Sequence, residues 1–149
     1  MRISVIGGST VDEETYDEAR ELGRLLAERG HTVVCGGYGG VMEAVCRGAK
    51  EEDAEARTVG VLSGDDPDEA NDYVDVPVAT NMGDARNALV VLNGEAVIAV
   101  DGAYGTLSEI AHALVLGRTV VGLDTHDVEG VKQVGTPREA VERIENSDG

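Results

Sequence analysis

The chain has 149 residues, of which 29 are acidic and 12 are basic, so its formal net charge at pH 7 is −17. Such an excess of carboxylates disfavours nucleic acid and anionic membranes as partners, because their phosphate groups repel it. An acidic surface is typical of halophilic proteins, whose self-repulsion is screened in molar salt. The alternative is a surface for a basic partner. We therefore expect halophilic behaviour, with stability that increases with salt.

The length fits a single domain over residues 1–149. The apolar residues are mainly Val, Ala, Leu and Ile, with no Phe or Trp, which suits a parallel sheet covered on both faces. Cys35 and Cys46 lack a Cys-x-x-Cys spacing and are predicted to be buried, reduced thiols. The N-terminus enters a strand without a signal peptide, and no apolar run approaches the roughly 20 residues that span a bilayer. We expect a cytoplasmic protein.

Strand and helix patterns alternate along the chain, which is typical of βαβ units. In the first half, β-branched runs predict strands at 2–6, 31–35, 57–62 and 73–76. Apolar residues at helical spacing predict a helix from Glu13, after the N-cap Asp12, to a stop at Gly30, and another over 39–52. The polar segment 63–72 is predicted to be the least ordered part of the chain, either a lid over a site or a solvated loop.

The second half continues the alternation. It predicts helices at 84–92, 106–117 and from Pro137 onward, and strands at 95–100 and 119–123. The last helix follows a capping box that begins at Thr136. The whole pattern predicts an α/β fold, a Rossmann-like open, mainly parallel sheet with helices on both faces. In such a sheet ligands bind at the carboxyl ends of the strands.

Two glycine turns follow strands and open helices, and they are the strongest functional signal. The first contains Gly36, Gly37, Gly39 and Gly40, and the second contains Gly102, Ala103, Tyr104, Gly105 and Thr106. Turns of this kind present backbone N–H groups at a helix N-terminus, where they bind anions. Gly8 and Ser9, at the end of the first strand, occupy the position where such folds meet a nucleotide. We expect both turns to hold one phosphate and its attached sugar.

Three side chains near these turns are candidates for chemistry or positioning. Glu109 lies in the first turn of its predicted helix, where it is either catalytic or a favourable partner of the helix dipole. Thr106 is expected to cap that helix or to bind a phosphate oxygen. Arg86 follows the turn that contains Met82 and is a candidate ligand clamp. Its alternative role is a surface ion pair with Asp84 or Glu95.

The segment 88–92, just after Arg86, is apolar on all sides. A helix without a polar face is buried on both sides, so this one is either a subunit contact or a central core helix.

Several other motifs are absent from the sequence. The first strand is not followed by Gly-x-Gly-x-x-Gly, which argues against a nicotinamide or flavin enzyme, and there is no Walker loop. His112 follows Glu109 at a spacing that can hold a metal, but no second such pair exists. The sequence therefore predicts neither a metal nor a cofactor.

At these residues the chain resembles the superfamily of the Lonely Guy (LOG) phosphoribohydrolases, many of which carry the label lysine decarboxylase; this superfamily is called SLOG. The resemblance covers residues 1–123. The first glycine turn, continued through Met42, matches the family's Gly-Gly-Gly-x-x-Gly-x-Met segment, and the second, ending at Glu109, matches Pro-Gly-Gly-x-Gly-Thr-x-x-Glu. Arg86 precedes Glu109 at the expected offset. Three positions depart from the family pattern. They are Asp101, Ala103 and Asn87, which stand where the family has proline, glycine and lysine.

The resemblance implies hydrolysis of the N-glycosidic bond of nucleoside 5′-monophosphates to base and ribose 5-phosphate. Glu109 would stabilise or attack the oxocarbenium-like sugar and Arg86 would orient the ligand. The three departures fit better the smaller branch near molybdenum cofactor carrier-like proteins. That branch implies the alternative, a non-catalytic carrier or sensor of a nucleotide or molybdenum-cofactor-type ligand. LOG relatives are commonly dimers, so we expect a homodimer or a higher homo-oligomer.

Overall fold

The computed structural model describes residues 1–147 and contains one seven-stranded sheet in which every strand pair is parallel. The strand order is β4-β3-β2-β1-β5-β6-β7. The strands are β1 (Arg2–Gly7), β2 (Thr32–Cys35), β3 (Thr58–Leu62), β4 (Val76–Ala79), β5 (Ala96–Val100), β6 (Thr119–Leu123) and β7 (Val131–Val134). The predicted α/β, Rossmann-like fold is confirmed.

Five α-helices cover the two faces of the sheet. They are α1 (Glu13–Glu28), α2 (Val41–Glu52), α3 (Asn87–Leu92), α4 (Tyr104–Val115) and α5 (Pro137–Asn146). Residues of α1, α2 and α5 pack with one face in a core that includes Ile3 and Val5, and residues of α3 and α4 pack with the other in a core that includes Ile6. The buried strands contribute residues to both cores, because successive side chains of a strand point to opposite faces of the sheet. None of the described helices is long and apolar enough to cross a membrane.

Four predicted details are wrong. The strand predicted at 73–76 is β4, three residues later, and β7 was not predicted. The predicted helix 84–92 divides into a 3-10 helix, Gly83–Arg86, followed by α3. Helix α4 begins at Tyr104 with Ala103 at its N-cap, so Thr106 lies inside the first turn and does not cap it. Strand β7 was missed in the sequence because it contains polar residues, which an edge strand can expose to water.

The apolar segment 88–92 is buried only in part. Val90 and Val91 are fully buried against the sheet, whereas Leu92 is exposed. Because one side of α3 is in the core and its end reaches the surface, the segment is neither a central core helix nor wholly free for a subunit contact.

The polar segment 63–72 is ordered by contacts with the first glycine turn. It contains a 3-10 helix, Pro67–Glu69. The backbone N–H of Asn71 donates to the carbonyl of Gly37 at 2.9 Å, and its side-chain amide donates to the carbonyl of Tyr38 at 2.8 Å. The segment is thus a support for the first glycine turn.

The two cysteines lie side by side between β2 and α2. Their sulfur atoms are 3.6 Å apart, and both side chains are buried and unbridged. The prediction of buried, reduced thiols is confirmed.

Candidate functional site

A cavity of about 190 Å³ lies at the carboxyl ends of the central strands. The end of β1, both glycine turns and the Gly83–Arg86 helix all contribute to its wall. Its lining consists of Val5, Ile6, Gly7, Gly8, Ser9, Gly36, Met42, Asp84, Arg86, Asn87, Ala103, Gly105, Thr106 and Glu109. This is the edge of a parallel sheet where ligands of such folds bind.

The cavity brings together just over half of the residues that the sequence predicted for the site. These are Gly8, Ser9, Gly36, Arg86, Ala103, Gly105, Thr106 and Glu109. The other predicted residues lie outside the lining and are Gly37, Gly39, Gly40, Met82, Gly102 and Tyr104. The two turns therefore share one cavity, but each contributes only part of its length.

In the first turn, glycine mainly permits close backbone packing. Gly40 has φ +62°, and a Cβ on it would lie 2.2 Å from the carbonyl oxygen of Gly8. The N–H of Val41 donates to that same oxygen at 3.0 Å. Gly37, with φ +85°, lies instead against β3, where a Cβ would be 2.5 Å from the side chain of Leu62. Gly40 thus packs the first turn against the turn after β1 and Gly37 packs it against β3, and neither residue lines the cavity.

In the second turn, backbone donors at the start of α4 remain free. The first helical hydrogen bond runs from the N–H of Leu107 to the carbonyl of Ala103 at 3.1 Å. The N–H groups of Tyr104, Gly105 and Thr106 thus have no partner within the described part of the chain, as is usual in the first turn of a helix. Gly105 and Thr106 line the cavity, so their donors are available to an anion there.

Gly102, Tyr104 and Met82 have other surroundings. A Cβ on Gly102 would lie 2.4 Å from Thr106, so this glycine allows Thr106 to pack closely. Tyr104 is 88% exposed and Met82 is 47% exposed. Asp101, the carboxylate that replaces the family's proline, lines a separate acidic groove with Asp12 and so stays out of the cavity.

Glu109 is buried at the cavity wall, with 7% of its surface exposed. Burial raises the pKa of Glu109 to about 8, although the nearby Arg86 guanidinium opposes this shift. The physical cause is the loss of water around the charged form. At pH 7 the carboxyl group is therefore mostly protonated, and it can donate a hydrogen bond as well as accept one.

Arg86 is the only cationic side chain in the described lining. Its Nη1 donates to Oδ1 of Asn87, and its guanidinium lies 5.8 Å from the ring centre of Tyr38. Its Nε is buried and has no hydrogen-bond partner in the structure. An orphaned buried donor costs about 1–3 kcal/mol. The ion pairs with Asp84 or Glu95 considered above are not among the salt bridges of residues 1–147.

Sequence reasoning missed the remaining lining residues as site members. These are Val5, Ile6, Gly7, Met42, Asp84 and Asn87. Asn87 and Met42 gave a signal, since each lies in a segment that carries the family resemblance, and Gly7 adjoins the predicted Gly8. Val5 and Ile6 gave none, because only the folded sheet brings the end of β1 beside Arg86.

An all-parallel sheet with a binding cavity at the carboxyl ends of its strands defines a Rossmann-like α/β binding protein. The sequence profile of the SLOG cluster4 family matches residues 1–148, and the chain belongs to this family. The predicted membership of the SLOG superfamily is thereby confirmed.

Individual relatives agree with this assignment. An uncharacterized protein from Archaeoglobus fulgidus is 46% identical over 142 residues, which cover 95% of this chain and 92% of the relative. The structure of the molybdenum cofactor binding protein from Rippkaea orientalis superposes with a TM-score of 0.91 at 32% identity, covering 99% of this chain and 97% of the other. The molybdenum cofactor carrier protein from Chlamydomonas reinhardtii gives a TM-score of 0.86 at 30% identity, covering 97% and 96%. The chain is thus similar over nearly its full length to proteins named for the molybdenum cofactor.

Proposed function

We propose that the cavity binds a phosphorylated small molecule of the nucleotide or molybdenum-cofactor type. The observation that carries this proposal is that the cationic side chain of Arg86 and the free N–H groups of Gly105 and Thr106 line one cavity. A guanidinium and a helix N-terminus both attract a phosphate. The names of the relatives from Rippkaea orientalis and Chlamydomonas reinhardtii support the cofactor-type ligand.

The protonation of Glu109 favours binding of an anion. An ionised carboxylate in the wall would repel a phosphate, whereas a neutral one donates a hydrogen bond to a ring or sugar oxygen. Asp84 is then the main negative group in the lining. We infer that Glu109 contacts the uncharged part of the ligand and that Arg86 contacts the phosphoryl group.

The proposal is tested by calorimetric titration of the purified protein in molar KCl. AMP, GMP, CMP, UMP and IMP, and molybdenum cofactor released anaerobically from a molybdoenzyme, are the probes, and adenosine is the control without phosphate. We expect at least one phosphorylated probe to bind, with Arg86→Gln weakening it by about tenfold or more. Failure of every probe, or equal binding of adenosine and AMP, would contradict the proposal.

Hydrolysis of the N-glycosidic bond is the second candidate function, favoured by Glu109 and Arg86 lying in the same cavity. Water would add to the anomeric carbon as the bond to the base breaks, giving free base and ribose 5-phosphate. Glu109 must be ionised to stabilise the positive sugar, so turnover should increase as the pH rises through about 8. An assay for free base distinguishes hydrolysis from binding alone. If the protein is a hydrolase, Glu109→Gln should abolish turnover and keep binding. Binding without base release by the original protein would identify a carrier or sensor.

A homo-oligomer is also proposed, through the surface that α3 and α4 share. The exposed side of α4 carries Tyr104, Ser108, His112 and Val115, without an acidic residue, and Leu92 of α3 is also exposed. In a chain of net charge −17, two copies repel each other least at such a surface. Light scattering should detect a dimer or larger assembly that Val115→Asp dissociates. A monomeric original protein at micromolar concentration would refute this.

We also propose a cytoplasmic location for the protein.

A further inference from the structure

The guanidinium of Arg86 has close contacts with three uncharged groups. The ring of Tyr38 lies 5.8 Å from it, and Asn87 accepts a hydrogen bond from its Nη1. On another side lies the backbone of Gly36, where a Cβ would be only 2.8 Å from Nη2. A cation above an aromatic ring is attracted by the ring quadrupole, and a hydrogen bond to an amide adds direction. The guanidinium is thus held on three sides by groups without formal charge.

Tyr38 is itself held firmly. Its hydroxyl accepts hydrogen bonds from the N–H of Gly64 at 3.0 Å and from the hydroxyl of Ser63 at 3.3 Å. Its carbonyl accepts one from the side chain of Asn71 at 2.8 Å. Both ends of the residue are therefore tied to the segment that follows β3, so the ring has a fixed place from which to orient Arg86.

Two other arginines in this acidic chain have carboxylate partners. Arg20 pairs with Glu51, and Arg24 pairs with Glu21 at 2.8 Å. A carboxylate partner neutralises most of the positive charge that a guanidinium presents to a third group. Contacts with a π face and an amide leave that charge intact, which matters in a protein with 29 acidic residues.

We propose that Tyr38 and Asn87 are positioning residues that fix the guanidinium of Arg86 without neutralising it. Asn87 accepts a hydrogen bond from Nη1 and carries no charge, so the guanidinium keeps its full positive charge to attract a phosphoryl group of the ligand. The ligand part of this inference rests on the proposed function, whereas the positioning part concerns the free protein.

The positioning part is tested without ligand, by the ¹⁵N–¹H signal of the Arg86 Nε–H group, assigned by its loss in Arg86→Gln. A proton held over an aromatic face is shifted by the ring current. We expect the original protein and Tyr38→Phe to share that shift and Tyr38→Leu to lose it. Tyr73→Leu is the matched control, because it removes a similar contact with Arg47, at 6.0 Å, away from the cavity. An Arg86 signal that is unchanged in Tyr38→Leu would overturn the role of Tyr38.

The charge argument is tested by Asn87→Asp, which keeps the size of the side chain and places a carboxylate on Arg86. We expect AMP binding to weaken by about tenfold or more, with unfolding midpoint little changed. Ser108→Ala is the control, since it removes the other partner of Asn87, at 3.3 Å, without changing charge. AMP binding by Asn87→Asp equal to that of the original protein would overturn the role of Asn87.

A double variant separates this role from a general loss of structure. Tyr38→Leu should weaken AMP binding in the original protein and have no further effect when combined with Arg86→Gln, because it acts through Arg86. Additive losses would contradict the inference. If the original protein binds none of the phosphorylated probes, the proposed function fails, and the ligand-free Arg86 signal still decides whether the arginine is positioned by Tyr38.

Discussion

The two glycine turns have similar sequences but use glycine for different purposes. In the first, Gly40 allows the backbone to pack against Gly8, and the N–H of Val41 is consumed in that contact. In the second, Gly105 lies in an open first helical turn whose donors reach the cavity. One turn therefore serves mainly the fold, and the other mainly the site.

The comparison shows why a glycine pattern is an incomplete guide to a ligand site. Glycine is needed wherever backbone approaches something closely, whether that is a ligand or another strand–helix turn. Only the partner in the folded structure distinguishes these cases. Single substitutions in each turn therefore separate the two roles.

The largest effect is expected for Gly40→Ala. The new Cβ would meet the Gly8 carbonyl at 2.2 Å, and the positive φ of +62° is unfavourable for alanine. We expect a loss of about 3 kcal/mol or more in the free energy of unfolding, measured by urea denaturation. Gly39→Ala is the control, because the atom nearest to the new Cβ would be the carbonyl oxygen of Ser9, at 3.4 Å. Equal losses in both variants would show that the steric account of the first turn is wrong.

The second-largest effect is expected for Glu109, which lies in helix α4 shortly after the second glycine turn. Its folded pKa of about 8 is above the ordinary value of 4.5, so the protonated form stabilises the native state. That stability is complete below the ordinary value and is lost as the pH rises toward 8. Between pH 6 and pH 7, inside this window, the free energy of unfolding should fall by about 1.4 kcal/mol relative to Glu109→Gln. Parallel pH profiles for the two proteins would contradict this.

Salt should have a smaller effect on stability, and this effect should come from the acidic surface and not from either glycine turn. Molar KCl screens repulsion among the acidic surface groups, so the melting temperature should rise by about 4 °C or more relative to low salt. The penalty of Gly40→Ala is steric and should be the same at both salt concentrations. A melting temperature that does not change with KCl would argue against a halophilic surface.

The smallest effect on stability is expected for Gly105→Ala. The atom nearest to a Cβ at this position would be the side-chain amide nitrogen of Asn87, at 3.8 Å. Alanine is also favoured over glycine in a helix. Stability should be unchanged or higher by less than about 1 kcal/mol, while the added methyl group at the cavity wall weakens AMP binding. Calorimetry and urea denaturation of the same variant check both parts. A variant that loses stability but binds normally would reverse the roles assigned to the turns.

The sequence predicted the parallel sheet well because the buried strands are apolar runs rich in β-branched residues, and β1, β2 and β5 lead directly into glycine-containing turns. It failed where tertiary contacts decide. Edge strand β7 was missed because Lys132 and Gln133 are polar and exposed, and β4 was misplaced because it contains Pro77. In the site, Arg86 and Glu109 followed from motifs. The support of Arg86 by Tyr38 did not, because these residues lie far apart in the sequence and meet only across the folded sheet edge.

The central claim is that both glycine turns, Arg86 and Glu109 form one site for a phosphorylated ligand. The most direct measurement is a map of backbone amide shifts as AMP, or the tightest-binding phosphorylated probe, is added to the ¹⁵N-labelled protein. We predict the largest changes at Gly8, Gly36, Gly105 and Thr106. Changes centred on the acidic groove around Asp12 and Asp101, or confined to one turn, would contradict the account.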